Sequence, residues 1–396
     1  MLNPRYDTLP VYPFDRLRTL LDPHAPAAGL DPISLAVGDP TFDPPAAIAE
    51  TMADKARLWG RYPQTDGNPD FRRAVAGFLE RRYGLGPDLI DPERHVLPVV
   101  GTREGLALIA NLVVPPQKAG QKPLVVMPNP CFHTYMAAAV FSGAESRHLP
   151  ATAETGFMPD LTQMTPADWD RTALFYLCSP GNPQGGVASM SLLMDAIILA
   201  RRHDFVLVVD ECYAEIYDAF PPAGALEASA GLDGKFTNVL VFHSLSKRSS
   251  APGMRSGFVA GDPELIRRYR MLRNYLGAQM PHPALYASAR LWADDSDAFR
   301  YRTAYQGLIN TAAEILGGRF GFRRPAGGFF LWLDVGNGEE AALTLWKEAA
   351  IRVLPGAYMS TPLADGTTPG DAHIRVALVH DAKTIETALR RLVKVL

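Results

Sequence analysis

The sequence predicts an α/β protein: a mostly parallel sheet covered by helices on both faces, followed by a smaller α+β domain. Three observations predict it. Five short apolar runs recur in the middle of the chain: PLVVM (123–127), ALFYLCS (173–179), FVLVVDE (205–211), NVLVFHS (238–244) and SGFVAGD (256–262). They are continuous, not alternating, as strands buried on both faces are. Helical stretches lie between several of them, and parallel strands need such crossovers. Past Pro281 the texture changes to helices interleaved with isolated apolar runs.

Residues 1–44 are proline-rich and lack sustained periodicity apart from FDRLRTLL (14–21), so they read as an arm with a first amphipathic element. Residues 45–280 carry the strand–helix alternation of a large domain. There VVGTREGLALI (99–109) reads as strand, glycine, helix start, and LLMDAIILARRHD (192–204) as a helix with an apolar face and a basic end. Residues 281–396 read as the smaller domain. Helices come first, then GGFFLWLDV (327–335), AALTLWKEAAIRVLPG (341–356), HIRVALV (373–379) and a closing helix, AKTIETALRRLVKVL (382–396).

The chain has 396 residues, 47% of them apolar and 20% charged, with a formal net charge of −3. Those values suit a globular protein able to bury a large core. No basic block points to nucleic acid, and no apolar stretch reaches the ~18 residues of a membrane span. The N-terminus lacks the apolar core of a signal peptide, so a cytoplasmic protein is expected. Cys131, Cys178 and Cys212 are odd in number and widely spaced. They fit neither a disulfide framework nor a metal site; buried thiols in a reducing compartment are expected, and no metal.

In open α/β sheets, ligands sit beyond the carboxyl ends of the strands. Those ends carry polar groups here. Asp210 closes a buried run in VVDECY, where a bare carboxylate costs several kcal/mol, so it requires a cation or hydrogen bonds. A helix cap or a structural ion pair answers that need equally well. CSPGNPQGG (178–186) reads as a turn, and Gly101-Thr102 opens a helix whose free N–H groups suit a phosphate. SLSK (244–247) offers two hydroxyls and an amine with Arg255 following; the same spacing also occurs as a serine–lysine nucleophile pair. Together these features suit one ligand. It has a phosphate for the helix start, Ser244 and Arg255, an aldehyde for Lys247, and a ring nitrogen kept protonated by Asp210. Pyridoxal phosphate has all three.

At this point the chain resembles the fold-type I, class I/II aminotransferases over essentially its whole length. The resemblance is carried, in order, by VGDPTFDPP, RYPQTDGNPDFRRAV, GTREGL, NPCFHTY, SPGNPQGG, DECYAEIY, SLSKRSSAPGMRSG and HIRVALV. It is similar above all to succinyldiaminopimelate aminotransferases of bacterial lysine biosynthesis, through YPFDRLRTLL, DECYAEIY and VFHSLSKRSSAPGMRSGFVAGD. The resemblance implies a seven-stranded-type sheet in the large domain and a homodimer with shared sites. It implies that Lys247 carries the cofactor and moves the substrate proton, that Asp210 pairs with the ring nitrogen, and that Tyr213 and Asn182 bind the ring oxygen. Phe132 would stack on the ring. Gly101, Thr102, Arg103, Ser244 and Arg255 would cradle the phosphate, and Tyr62 would reach the neighbouring subunit's phosphate. Arg375 and Asn182 would bind substrate, and Gly38 would let the chain approach it. Gln184 stands where the family usually has threonine. The implied reaction exchanges an amino group between N-succinyl-LL-2,6-diaminopimelate and 2-oxoglutarate. An aspartate or other amino-acid aminotransferase, a C–S lyase, and a cofactor-binding regulator are the alternatives, the last disfavoured by the lack of a DNA-binding extension. Arg16, Arg18, Arg248 and Arg273 are candidates for the substrate's far carboxylates, or solvated charges.

Overall fold

The computed structural model describes residues 3–396. A seven-stranded sheet forms the centre. Its order is Val96–Val99, Gly257–Gly261, Val239–Ser244, Val206–Asp210, Thr172–Cys178, Leu124–Asn129, Glu145–Pro150. Only Gly257–Gly261 runs antiparallel to its neighbours, Val96–Val99 and Val239–Ser244. The other pairings are parallel. All five expected strands are present.

Glu145–Pro150 is a strand that the apolar runs do not reveal. It sits at the sheet edge with half-exposed, mostly polar side chains (ESRHLP), so it never needed a continuous apolar run.

Both faces of the sheet are buried, and successive residues divide between them. Val125, Met127, Leu174, Tyr176, Val208, Leu240 and Phe242 enter one core. Leu124, Val126, Phe175, Leu177, Val209, Val239 and Val241 enter the other. The helices start where side chains accept the free N–H groups of their first turns. Asn68 caps Pro69–Tyr83, Ser189 caps Met190–Arg202, Asp262 caps Pro263–Leu276 and Asp381 caps Ala382–Val395.

A second, antiparallel sheet has the order Leu354–Pro355, His373–Ala377, Phe330–Asp334. The helices Ser296–Leu316, Gly338–Ala349 and Ala382–Val395 pack on it around Leu333, Leu345, Val376 and Leu389. The arm joins this unit: Ile33–Ser34 pairs parallel with Ile351–Arg352, and Leu17 and Leu21 of helix Pro13–Leu21 pack with Trp346 and Leu354. Helix His282–Ala293 packs with the large unit instead. Its Leu285 and Trp292 share a core with Phe71 and Phe78, the Trp292 and Phe78 rings lying 4.9 Å apart.

One close approach aims the site. Helix Thr102–Val113 lies on the sheet through Gly105, where a β-carbon would fall 2.7 Å from Phe242 Cε1 and 3.2 Å from Val99 Cγ1. Phe242 is fully buried, so its ring cannot step aside. Gly105→Ala should therefore cost about 1–3 kcal/mol, as overpacking a filled core does, and should tilt the helix start away from the strand ends. Thermal unfolding measures the first effect. An unchanged melting temperature would mean that the helix adapts freely.

Candidate active site

The carboxyl ends of the parallel strands open into a cavity of about 420 Å³ closed on its other side by the small sheet and the arm. Lys247 reaches it from the short helix Leu245–Arg248, whose first turn is capped by Ser244 Oγ, the acceptor for Ser246 N–H at 3.1 Å. The Lys247 ammonium donates to the Gly38 carbonyl and stands 5.6 Å from the centroid of Phe329. Burial pushes the amine down to about 8, the nearby Asp39 pulling the other way. A lysine so held is still mostly charged at pH 7 but has a far larger neutral fraction than a free lysine, and a neutral amine is a nucleophile and a base.

Asp210 ends its strand with the side chain on the cavity face. Tyr135 Oη donates to Asp210 Oδ2 at 2.7 Å and Cys212 N–H to Oδ1 at 3.2 Å. Burial raises its pKa despite these bonds, so a cationic group arriving beside it would be bound strongly. The next residue, Glu211, faces the opposite core. It accepts from Tyr83 Oη at 2.7 Å and from Ala225 N–H at 2.8 Å, and His243 Nε2 lies 2.8 Å from it. This buried cluster fixes the turn that carries Asp210 and Tyr213. The sequence reading missed it, although strand parity signals it: Asp210 and Ser244 share one face, Glu211 and His243 the other.

Gly101 and Arg255 are mutually dependent. Gly101 has φ +77°, and a β-carbon there would fall 2.1 Å from Arg255 Nη2. Arg255 is itself left-handed at φ +54° and donates to the Pro252 carbonyl at 2.8 Å. Gly101 supplies no side chain to cap helix Thr102–Val113, which leaves its first N–H groups open beside that guanidinium. Thr102 Oγ1 lies 3.1 Å from Cys212 Sγ. Ser246, the second hydroxyl of SLSK, given no role of its own from the sequence, lines the cavity with Ser244, and their hydroxyls are 2.9 Å apart.

Arg375 arrives from the small sheet, strand His373–Ala377, and bonds across to the large one. Its Nη1 donates to Asn182 Oδ1 at 2.9 Å and its Nη2 to the Ala36 carbonyl at 2.6 Å; the guanidinium lies 4.3 Å from the Phe330 centroid. Two of five N–H donors are used and Nε–H is buried without a partner, so donors remain for an anion. Burial pulls this guanidinium down to about 10. Because Asn182 Oδ1 is taken, its amide N–H₂ is the group free to face the cavity. Gly38 leaves no room for a side chain: a β-carbon would meet Phe330 Cζ at 2.5 Å. Tyr213 is buried, edge-on to Phe329 and Phe330 at 5.5 and 5.7 Å, and burial raises its phenol pKa. Phe132 forms a wall, with the Arg103 guanidinium 5.6 Å from its ring centroid.

Other expected residues lie elsewhere. Tyr62 is 99% exposed and outside the cavity. Gln184 is buried outside it, donating to the Ala151 carbonyl at 3.0 Å. Arg248 and Arg273 are neither solvated charges nor cavity residues. Arg248 donates to the Leu291 carbonyl at 2.7 Å and pairs with Asp295; Arg273 grips Glu104 with bonds of 2.8 and 2.7 Å. Burial of their guanidiniums demands those partners. Arg16 pairs with Glu339 at 3.1 Å over the Tyr358 ring, and Arg18 pairs with Asp15. The three cysteines are free and buried.

The donor set fits pyridoxal phosphate: open helix N–H groups beside Arg255 and two hydroxyls for the phosphate, a buried carboxylate for the ring nitrogen, and an amine of lowered pKa for the aldehyde. Comparison with known proteins agrees. The family model for aminotransferases of class I and II matches residues 31–392. The 4-dedimethylamino-4-oxo-anhydrotetracycline transaminase OxyQ of Streptomyces rimosus is 32% identical over 97% of this chain and 99% of its own. An LL-diaminopimelate aminotransferase of Syntrophobacter fumaroxidans is 30% identical over 98% of this chain and 97% of its own. The crystal structure of an aminotransferase from Neisseria meningitidis superposes with a TM-score of 0.94 at 35% identity, over 99% of each chain.

Two measurements test this geometry. Gly101→Ala displaces the Arg255 guanidinium, and losing a charge-assisted hydrogen bond should weaken pyridoxal phosphate binding about 10- to 150-fold in a titration of the apoprotein. Lys247 in the apoprotein should be acylated with a rate that rises to a midpoint near pH 8 and then levels, followed by peptide mass spectrometry. A midpoint above pH 10 would mark it as an ordinary exposed lysine.

Proposed function

This chain belongs to the class I and II aminotransferases, enzymes dependent on pyridoxal phosphate, and from that premise we propose what its own residues do and which substrates it takes. The carrying observation is the convergence of Lys247, Asp210 and Arg375 on one cavity. Arg375 and Asn182 bind the substrate α-carboxylate through the donors left free after their mutual bond. That contact orients Cα toward Lys247. Bound pyridoxal phosphate supplies an electron sink for the amino acid carbon. Asp210 supports that sink by holding a proton on the ring nitrogen, in the low-dielectric setting that Tyr135 and Cys212 furnish. Lys247 Nζ takes the proton from Cα, a task suited to an amine poised near 8. Gly101, Thr102, Ser244 and Arg255 would hold the phosphate, with the Arg103 backbone in the same helix turn; Phe132 would cover the ring, and Tyr213 and Asn182 would hold its oxygen.

The substrate pair we propose is N-succinyl-LL-2,6-diaminopimelate with 2-oxoglutarate, in the cytoplasm. Its support is the resemblance of the arm and of the Lys247 segment to enzymes of that step; relatives named LL-diaminopimelate aminotransferase support the diaminopimelate skeleton but not the succinyl group. By their name those relatives favour a second reading, in which unblocked LL-diaminopimelate is the donor. The proposed active unit is a homodimer in which Tyr62 serves the partner's site. Tyr62 is fully exposed in the single chain, and the Tyr62 carbonyl lies 3.3 Å from His282 Nε2 at a surface that also exposes Tyr275 and Leu276.

Lys247→Ala should lower single-turnover transamination by at least about 10²-fold while leaving the melting temperature near wild type, because a proton carrier is lost and not a packing element. With glutamate as donor, kcat/KM for N-succinyl-2-amino-6-ketopimelate should exceed that for oxaloacetate. A preference for oxaloacetate would retire the diaminopimelate reading and leave the role of Lys247 standing.

A further inference from the structure

The roles assigned to Lys247, Asp210, Arg255 and Arg375 leave part of the cavity wall unused. On that part stand His133 and Arg103. Among the described residues their side-chain contacts are with aromatic rings, and neither has a hydrogen-bond or ion-pair partner. His133 opens helix His133–Ser142 directly after Phe132. Its ring is clamped on two sides, edge-on to Tyr12 at 4.8 Å and 89° and against Phe132 at 4.6 Å and 62°. Such packing fixes the plane of the imidazole and leaves its nitrogens without a protein partner. The Arg103 guanidinium lies over the same Phe132 ring. The arm and small unit supply apolar neighbours, Pro13, Phe14, Leu354 and Met359, along which a methylene chain can lie.

A fixed ring whose nitrogens bond no protein group, beside an exposed arginine free of carboxylates and at the end of an apolar wall, is a recognition surface for an anion. We propose that His133, with Arg103 beside it, forms a second anion subsite that reads the carboxylate at the far end of a dicarboxylic substrate. The proposal rests on the aminotransferase reading of the cavity and deepens it: the substrate class is amino and oxo acids bearing a second carboxylate, in preference to apolar ones. The charged and titratable groups facing His133 are Arg103, Arg375 and the Tyr12 phenol. Burial and the two arginines hold the free imidazole neutral, down to about 4. An arriving carboxylate reverses that field and raises the pKa, so the bound form takes up a proton. Affinity for the ionised dicarboxylate should therefore increase as pH falls from about 7 toward 6.

The test uses the cofactor-loaded enzyme and two variants. His133→Phe keeps the ring that packs on Tyr12 and Phe132 but removes both nitrogens; His133→Gln keeps hydrogen-bonding capacity but cannot titrate. Adipate and hexanoate binding is measured by calorimetry from pH 5 to 8, and kcat/KM is compared for 2-oxoglutarate and 2-oxohexanoate. The expected result is a fall of about 10-fold in the preference for dicarboxylates in His133→Phe. His133→Gln should recover part of that preference and lose the rise at low pH. Equal losses for both ligand classes, or no loss, would overturn the subsite. If wild type turns over neither oxo acid yet binds adipate in a His133-dependent way, the subsite stands and the transamination reading falls.

Discussion

The structure depends on one geometrical constraint: successive side chains of a strand face opposite sides of the sheet. At the carboxyl ends of Val206–Asp210 and Val239–Ser244 this rule sorts adjacent polar residues into two clusters. Asp210 and Ser244 face the cavity. Glu211 and His243 face the other core, where Tyr83 and the first turn of helix Ala225–Asp233 meet them. Each buried carboxylate then finds hydrogen bonds on its own side, which is the condition for burying it at all. The reactive cluster is thus backed by one in which the Glu211 carboxylate is hydrogen-bonded, and the backbone between them has little freedom to move.

The second constraint is that the site belongs to two sheets. Lys247 and Asp210 come from the large one and Arg375 from the small one, with the Arg375–Asn182 bond crossing between them. The arm completes the enclosure through Ala36, whose carbonyl accepts from Arg375, and Gly38, whose carbonyl accepts from Lys247. Both cations therefore donate to backbone of the same short segment. Desolvation acts on both in the same sense, lowering their pKa values. For Lys247 that produces a base usable near neutral pH. For Arg375 the guanidinium stays charged, and the low dielectric would strengthen its attraction for a carboxylate.

Glycines make the close approaches that bring these parts together. Gly38 admits the Phe330 ring, Gly101 admits the Arg255 guanidinium, and Gly105 seats a helix on Phe242. In each case the missing side chain is the space another group occupies.

The sequence by itself determined the class of fold and most of the chemistry. Continuous apolar runs announce doubly buried strands, because burial on both faces leaves no place for alternating polar residues. The polar groups at their ends announce a ligand, because a carboxylate such as Asp210 is not buried without purpose or partner. Local order also marks Gly101-Thr102 as an open helix start. What only the tertiary structure decided is which cations are free. Arg248 and Arg273 look the same in sequence as Arg103, yet Asp295 and Glu104 consume the first two while Arg103 stands unpaired in the cavity wall. The same holds for His133, Tyr135 and the edge strand Glu145–Pro150, whose roles depend on neighbours far along the chain. A strand or a cap is encoded within a few residues, so a local pattern reveals it. Whether a charge is paired depends on groups up to hundreds of residues away, and only the folded chain brings them within reach.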